Sequence, residues 1–260
     1  MAVFLEFQDP VPVVEDQTVR AYCFYCQSLR AAAAQILLSV IDTSQPFDKH
    51  SWAAVLIIQR LTECQLSFEL LIARGRERDA AVLLVTILEL AFDLIYLEKH
   101  PDKIEEWISH ENHARKPWSV SRLIADIYDE SERAPMSELY RHCSMVKHGN
   151  PAGGLTTFPM GLKKRQIILP EHGNLPILTA YVFTATGNVH RALQSATRIW
   201  EKGGHDPGPH AAVADKAWED LQNLNSNHIR DIVIDLMRTK PSAFEAGGPL
   251  ADISLRKAET

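Results

Sequence analysis

An arginine and a histidine lie seven residues apart in a segment predicted to be helical, YRHCSMVKHG, as Arg141 and His148. Seven residues make nearly two helical turns, so both side chains share one face, about 10 Å apart along the axis. Histidine has an unperturbed pKa suited to acid–base work near neutral pH, and arginine binds a phosphate through two donors. The pair therefore suits metal-free RNA cleavage. The alternative is that His148 caps the helix and Arg141 is a solvated surface cation.

Positive charge concentrates around this pair. The whole chain carries 27 Lys and Arg against 33 Asp and Glu, a net charge of −6, which excludes a protein that is basic over its whole surface. Residues 133–170 nevertheless contain six cations and a single carboxylate. We therefore predict that the RNA backbone is bound by Lys147, Lys163, Lys164 and Arg165. The alternative is a solvated loop whose lysines stay in water.

Carboxylates also occur in the most apolar parts of the chain. Glu89 and Asp93 lie four residues apart on the most apolar predicted helix, and Glu69 lies among leucines in the helix before it. A carboxylate in such a setting must be paired, be protonated or face a cavity. Glu89 is a candidate to orient Arg141 or His148, and its alternative role is a structural ion pair. A di-iron bundle is excluded because paired Glu-x-x-His motifs are missing.

The patterns typical of metal and cofactor sites are weak or missing. His110 and His113 lie three residues apart beside several glutamates, without a convincingly spaced third ligand. Cys23 and Cys26 form a single C-x-x-C inside a predicted helix, which favours two thiols facing the core. The glycine pairs match neither a dinucleotide fingerprint nor a phosphate loop. We expect no metal and no cofactor.

Helical periodicity organises most of the chain. The predicted helices cover residues 16–41, 50–73, 77–99, 101–112, 120–130, 135–148, 176–202 and 211–240. The third helix is apolar nearly all round, which places it at the centre of a bundle. Ser137 is the candidate cap of the sixth helix, and Gly75 the stop of the second. The predicted fold class is all-α, a helical bundle.

One insertion interrupts the bundle. Residues 149–174 hold five glycines and three prolines, and within them 155–160 and 165–169 have the composition of a short β-hairpin. We predict a single all-helical domain over residues 1–240, followed by a flexible tail at 241–260.

Composition and termini bear on the compartment. Hydrophobic residues make up 46% and charged residues 23%, as in soluble globular proteins. Four cysteines are too few for a disulfide scaffold, and the N-terminus lacks the pattern of a secretory signal. The most apolar stretch, residues 80–97, carries Glu89 and Asp93 and thus indicates a buried helix instead of a membrane span. The expected location is the cytoplasm, away from membranes.

Two stretches resemble a known bacterial family. Residues 76–91, RERDAAVLLVTILELA, and residues 140–149 are similar to the bacterial domain-of-unknown-function family 5677, over about residues 56–156 and more loosely over a core of 50–202. That family in turn resembles the HEPN superfamily of helical bundles. HEPN ribonucleases carry an arginine, four to six residues, then a histidine, often followed by glycine. Arg141 and His148 have six residues between them, and His142 stands where asparagine is common.

The resemblance implies a metal-independent endoribonuclease acting in toxin–antitoxin or phage-defence systems. It implies a homodimer that shares its active site, RNA as substrate and an antitoxin or other protein as partner. His148 would be the general acid/base, Arg141 the phosphate clamp and Glu89 the orienting group. One alternative is a non-catalytic interaction module that binds a protein or nucleic acid. Another is a small-molecule or metal-binding bundle using Glu69, Glu89 and His110.

Overall fold

The computed structural model describes residues 17–42, 45–110, 117–148 and 175–237, with side chains beginning at residue 19 and, in the last stretch, covering 177–224. These residues form helices and no strand, which confirms the all-α class. The helices are α1 (Gln17–Ile41), α2 (Lys49–Ala73), α3 (Glu77–Lys99), α4 (Ile104–Ser109), α5 (Val120–Ile127), α6 (Glu130–Lys147), α7 (Leu175–Lys202) and α8 (His210–Met237). A 3-10 turn, Pro101–Lys103, precedes α4.

Helix α3 is the centre of the bundle, as its apolar pattern predicts. It packs against α2, α5, α6 and α7, while α1 and α8 pack on the outer side of α7 and on each other. Ala80, Leu84, Leu88 and Ala91 on α3 are fully buried. The two alanines carry so little side chain that neighbouring helices can approach closely, and the leucines fill the space between.

Local signals set the ends of several helices. The Asp48 carboxylate accepts a hydrogen bond from the Ser51 backbone N–H at 2.7 Å and so caps the start of α2. Gly75 follows α2 with φ +64°, a left-handed conformation that glycine adopts without a Cβ clash. This confirms the prediction that α2 stops at Gly75.

Helix α6 departs from the prediction. It begins at Glu130 and not at residue 135, so Pro135 lies inside the helix and Ser137 is not its cap. Pro135 has no N–H for the carbonyl four residues earlier, at Ser131. Ser131 is exposed, so water can satisfy that carbonyl. The residue at the N-cap position is Asp129, in extended conformation.

Other expectations shift or fall outside the described residues. The predicted helix over 101–112 is divided into the 3-10 turn and α4, and the predicted helix over 120–130 ends at Ile127. The predicted β-hairpin, the tail at 241–260 and the domain boundary at 240 lie outside the described residues.

Within the part of the chain that the structure describes, two helices are long and apolar enough to cross a membrane. Val19–Ile41 has a mean hydropathy of 1.3 and α3 one of 2.2, in their most apolar windows. The window in α3 is 72% buried against the rest of the protein, and the one in Val19–Ile41 is 33% buried. A mostly buried core helix of a soluble protein and a signal sequence near the N-terminus meet the same criterion, so these helices do not decide the compartment and the cytoplasmic location stays a prediction.

An ion pair between a partly exposed arginine and a buried glutamate joins α1 to α2. Arg30 Nε donates to both carboxylate oxygens of Glu69, at 3.0 and 3.1 Å, and the Glu69 side chain is 5% exposed. One helical turn earlier, the Gln65 amide donates to the Cys26 carbonyl at 2.8 Å. Glu69 is thus a paired core carboxylate.

Removing the arginine leaves the carboxylate buried without its cation. We expect Arg30→Met to lower the free energy of unfolding by about 3 kcal/mol, because a buried charge that loses its partner keeps its desolvation cost. Urea unfolding measures this loss. The control is Lys49→Met, which removes the exposed ion pair with Glu105 and should cost less than about 1 kcal/mol. Equal losses in the two variants would contradict the prediction.

Stability should also depend on pH through Glu69. Burial raises the pKa of this carboxyl against the opposing effect of Arg30. The native protein then holds the proton more tightly than the unfolded chain, so this contribution to stability is lost as pH rises from about 4.3 through the folded pKa. The free energy of unfolding of the wild type minus that of Glu69→Gln should fall over this range.

Glu98 supplies a control of opposite sign. Its burial raises the pKa, but Arg198 and Lys202 outweigh that effect and lower the pKa overall. The wild type minus Glu98→Gln difference should therefore grow as pH rises from below the folded pKa to above about 4.3. If the two stability differences, for Glu69→Gln and for Glu98→Gln, changed in the same direction as pH rises, the assignment would be contradicted.

Candidate functional site

Helix α6 presents two different faces. Its inner face is buried, with Leu139 3% and Cys143 0% exposed. Arg141 and His148 lie on an exposed part of the helix, and the Arg141 side chain is 54% exposed. His148 is the residue that ends α6, and its backbone N–H donates to the Ser144 carbonyl at 3.0 Å. The structure therefore places the predicted pair on the helix surface, seven residues apart and accessible to a large ligand.

The guanidinium of Arg141 is held on its own helix. Its Nε donates to Glu138 Oε2 at 3.0 Å, its Nη2 donates to the same oxygen, and Nη1 lies 3.7 Å from Met145 Sδ. An exposed i,i+3 ion pair of this kind contributes about 1 kcal/mol or less to stability. A phosphate can therefore replace Glu138 at little cost.

Glu89 lies on the inner side of α6. Its Oε1 accepts a hydrogen bond from the Tyr140 hydroxyl at 2.6 Å, so it joins α3 to α6. Burial, this hydrogen bond and the charge of Glu89 raise the pKa of Tyr140, which stays a hydrogen-bond donor. The described contact thus positions Tyr140, the neighbour of Arg141, while the carboxylate bound to Arg141 is Glu138. The orienting role of Glu89 toward Arg141 or His148 stays a prediction.

His142, the residue after the arginine, belongs to the core. Its side chain is buried, and its Nε2 lies 3.0 Å from the Tyr181 hydroxyl on α7. Burial and the nearby Cys143 and Glu77 raise the pKa of Tyr181. Tyr181 therefore marks where the last turns of α6 and the first turn of α3 meet α7. His142 is therefore a packing residue and does not lie on the exposed face of α6 where Arg141 is found.

This meeting point gathers cations that the sequence analysis did not single out. Arg74 and Arg76 lie in the turn between α2 and α3, and Arg78 follows in the first turn of α3. Arg74 and Arg76 line an open cavity of about 360 Å³, together with Leu70 and two neighbours. The sequence RGRER, between two strongly periodic segments, was the available signal.

The predicted RNA-binding lysines are only partly described. Lys147 is exposed at the end of α6, one residue before His148. Lys163, Lys164 and Arg165 lie outside the described residues. The described cations near the end of α6 and in the α2–α3 turn are therefore Lys147, Arg74, Arg76 and Arg78, with Asp79 as an exposed acidic residue in the first turn of α3.

The described histidines and cysteines also bear on metal binding. Among the described residues, no cluster of three or more His, Cys, Asp or Glu is placed to hold a metal ion. His110 contacts the Trp107 carbonyl through Nδ1, and His113 lies outside the described residues. Burial raises the pKa of Cys23 to about 11 and that of Cys26 to about 12, so both thiols stay protonated. Cys26 is fully buried, as predicted for a core thiol, whereas Cys23 is only partly buried.

The hydrogen bond between Tyr140 and Glu89 should stabilise the attachment of α6. We expect Tyr140→Phe to lower the free energy of unfolding by about 2 kcal/mol, because a hydroxyl bound to a charged acceptor is lost in a half-buried site. Urea unfolding at pH 7 is the measurement. Tyr25→Phe, on α1, is the comparison and should change stability little; a larger loss there than at Tyr140 would contradict this assignment.

Known proteins offer no further guide to this site. Comparison of the chain with models of protein families, with curated proteins and with solved structures gives no match.

Proposed function

We propose that this protein is a HEPN-like, metal-independent endoribonuclease that acts on single-stranded RNA. The observation that carries the proposal is the exposure of Arg141 and His148 on α6, near the end of the bundle where the cations of the α2–α3 turn lie. The resemblance to HEPN ribonucleases adds a toxin or phage-defence role, a homodimer and a protein partner to the proposal.

In the proposed reaction, the RNA itself supplies the nucleophile. His148 takes the proton of a ribose 2′-hydroxyl, and the 2′-oxygen attacks the adjacent phosphorus while the 5′-oxygen leaves and is protonated by solvent. Arg141 donates to the two non-bridging oxygens, whose negative charge grows in the transition state. The products are a 2′,3′-cyclic phosphate and a 5′-hydroxyl.

The surrounding charges support a polyanionic substrate. Lys147 provides fixed positive charge next to His148, and Arg76 and Arg78 add positive charge at the start of α3, in a protein with a net charge of −6. Each phosphate contact releases counterions, so binding should weaken as salt concentration rises. The weak pair between Arg141 and Glu138 leaves the guanidinium able to bind a phosphate.

The second candidate is a helical module that binds RNA or a protein without cleaving it. The position of His148 favours this function, because His148 is the residue that ends α6 and its backbone N–H donates to the Ser144 carbonyl, which accounts for it structurally. In that case His148 ends α6 and has no chemical role.

Cleavage of end-labelled single-stranded RNA in EDTA tests the proposal. We expect the wild type to produce 2′,3′-cyclic phosphate ends, and His148→Ala to cleave at least about 100-fold more slowly because proton transfer is lost. Arg141→Ala should lose both cleavage and one phosphate contact. The plot of log binding constant against log salt concentration should then be less steep by about 0.7.

The matched control is Arg198→Ala. Arg198 is an arginine of similar exposure, 48%, paired with Glu98 at the other end of α3. It should leave cleavage and the salt slope unchanged. Cleavage that survives in His148→Ala would overturn the assignment of the general base. RNA binding without cleavage by the wild type would instead establish the second candidate.

A further inference from the structure

An open cavity of about 140 Å³ lies between the second half of α7 and the beginning of α8. Its apolar lining comes from Leu193 on α7 and from Ala211 and Ala214 on α8. The alanine side chains are too small to fill the gap between the two helices, and the space remains for this reason. A cavity of about 150 Å³ holds a benzene molecule, so this one has room for about six non-hydrogen atoms.

The two helices that enclose the cavity are fixed by a close contact beside it. Gly187 on α7 lets the Trp218 ring of α8 approach so closely that a Cβ there would lie 2.7 Å from the ring. The same ring stacks on His190, with 5.7 Å between the ring centroids. The walls of the cavity are therefore in place before a ligand binds, which lowers the ordering cost of binding.

A carboxylate at this cavity is held in place by neutral donors. Asp215 Oδ1 accepts hydrogen bonds from His190 Nε2 at 2.7 Å and from the Gln194 amide at 3.2 Å. Burial of the His190 ring lowers its pKa, against the opposing effect of Asp215. His190 is therefore largely uncharged at pH 7 and does not balance the negative charge of Asp215.

The neighbouring cations have other partners. Arg198, which also borders the cavity, donates to Glu98 at 3.3 Å. Lys216, the residue after Asp215, pairs with Asp220 at 2.7 Å. Among the described residues, no arginine or lysine pairs with Asp215. The cavity thus combines an unbalanced negative charge with an apolar lining.

We infer that this cavity binds a small aliphatic primary amine in its ammonium form. The ammonium group donates to Asp215 Oδ2, which accepts no hydrogen bond from the described residues. The Gln194 amide oxygen and the Thr197 hydroxyl belong to the same lining and supply acceptors for the other two N–H bonds. The alkyl chain of the amine packs on the leucine and the two alanines and so leaves water.

The composition of the lining distinguishes an amine from a metal ion. Asp215 is the one carboxylate among the described residues that line the cavity. A single carboxylate suits an ammonium group, whereas a calcium or magnesium ion takes about six or more oxygen ligands. The apolar side of the cavity also has no use in holding a bare ion.

The amine site is separate from the proposed ribonuclease site. Arg141 and His148 lie on α6, whereas the cavity is formed by α7 and α8. The inference therefore does not depend on RNA cleavage, and amine binding is measured whether or not the protein cleaves RNA.

An NMR titration of the ¹⁵N-labelled full chain with n-butylammonium chloride at pH 7 tests the inference. We expect saturable shifts of the signals of the lining residues, with a Kd on the order of 1 mM for a ligand of about five non-hydrogen atoms. 1-Butanol, which has the same alkyl chain without the charge, should bind at least about tenfold more weakly because it lacks the charged hydrogen bond.

Two variants separate the charge from the space. Asp215→Asn keeps an oxygen that can accept from His190 and Gln194, but it should raise the Kd for n-butylammonium at least about tenfold. Ala211→Leu fills the cavity without changing any charge and should abolish binding. The matched control is Asp220→Asn, which changes a carboxylate of the same helix that is 36% exposed and paired with Lys216. It should leave the Kd unchanged.

Three results would overturn the inference. If n-butylammonium caused no saturable shifts, the cavity would not be an amine site. Equal affinity for 1-butanol and n-butylammonium would show that the carboxylate does not recognise the ligand. Binding that survives in both Asp215→Asn and Ala211→Leu would place the amine elsewhere on the protein.

Discussion

The burial of α3 on nearly every side is the constraint on which the rest of this structure depends. Because α3 is apolar around its circumference, it must be covered by other helices, and α2, α5, α6 and α7 all pack against it. Its polar groups must then find partners inside the bundle. Asp93 accepts a hydrogen bond from the Trp118 indole at 3.0 Å, and Glu89 accepts one from Tyr140. These hydrogen bonds fix the positions at which the segment before α5 and helix α6 attach to α3.

Covering α3 determines which surfaces remain for function. Helix α6 uses Leu139, Tyr140 and Cys143 for packing. Arg141 lies between these packing positions and remains exposed on the outside of the helix. Helix α2 buries its inner face in the same way, but its outer face keeps leucines and a tryptophan in solvent. Exposed apolar side chains in a regular row are costly for a lone molecule and typical of an association surface. The exposed Arg141 of α6 and the exposed apolar side chains of α2 are thus two separate products of one packing arrangement.

Charged groups in the interior serve the fold. Glu69 is satisfied by Arg30 from α1, and Glu89 by Tyr140 from α6, at junctions between helices. A buried carboxylate restricts the arrangement around it more than an apolar side chain does, because only some geometries provide it with a donor. Arg141 and His148, proposed for chemistry, are on the surface instead, where a phosphate can reach them without desolvating the core.

Much of the fold follows from the sequence, because a helix depends on contacts only three or four residues apart. The periodic apolar positions, Gly75 and the acidic cap at Asp48 are local, and the ends of α1, α2, α3 and α7 agree with prediction to within one residue. The spacing of Arg141 and His148 is equally local. The predicted start of α6 at residue 135 was wrong. Pro135 is tolerated inside the helix because solvent can bind the carbonyl that its missing N–H leaves free. The partners of Glu69 and Glu89 and the buried position of His142 required the tertiary structure. Those contacts join residues about 40 or more positions apart, and only the packing around α3 brings them together.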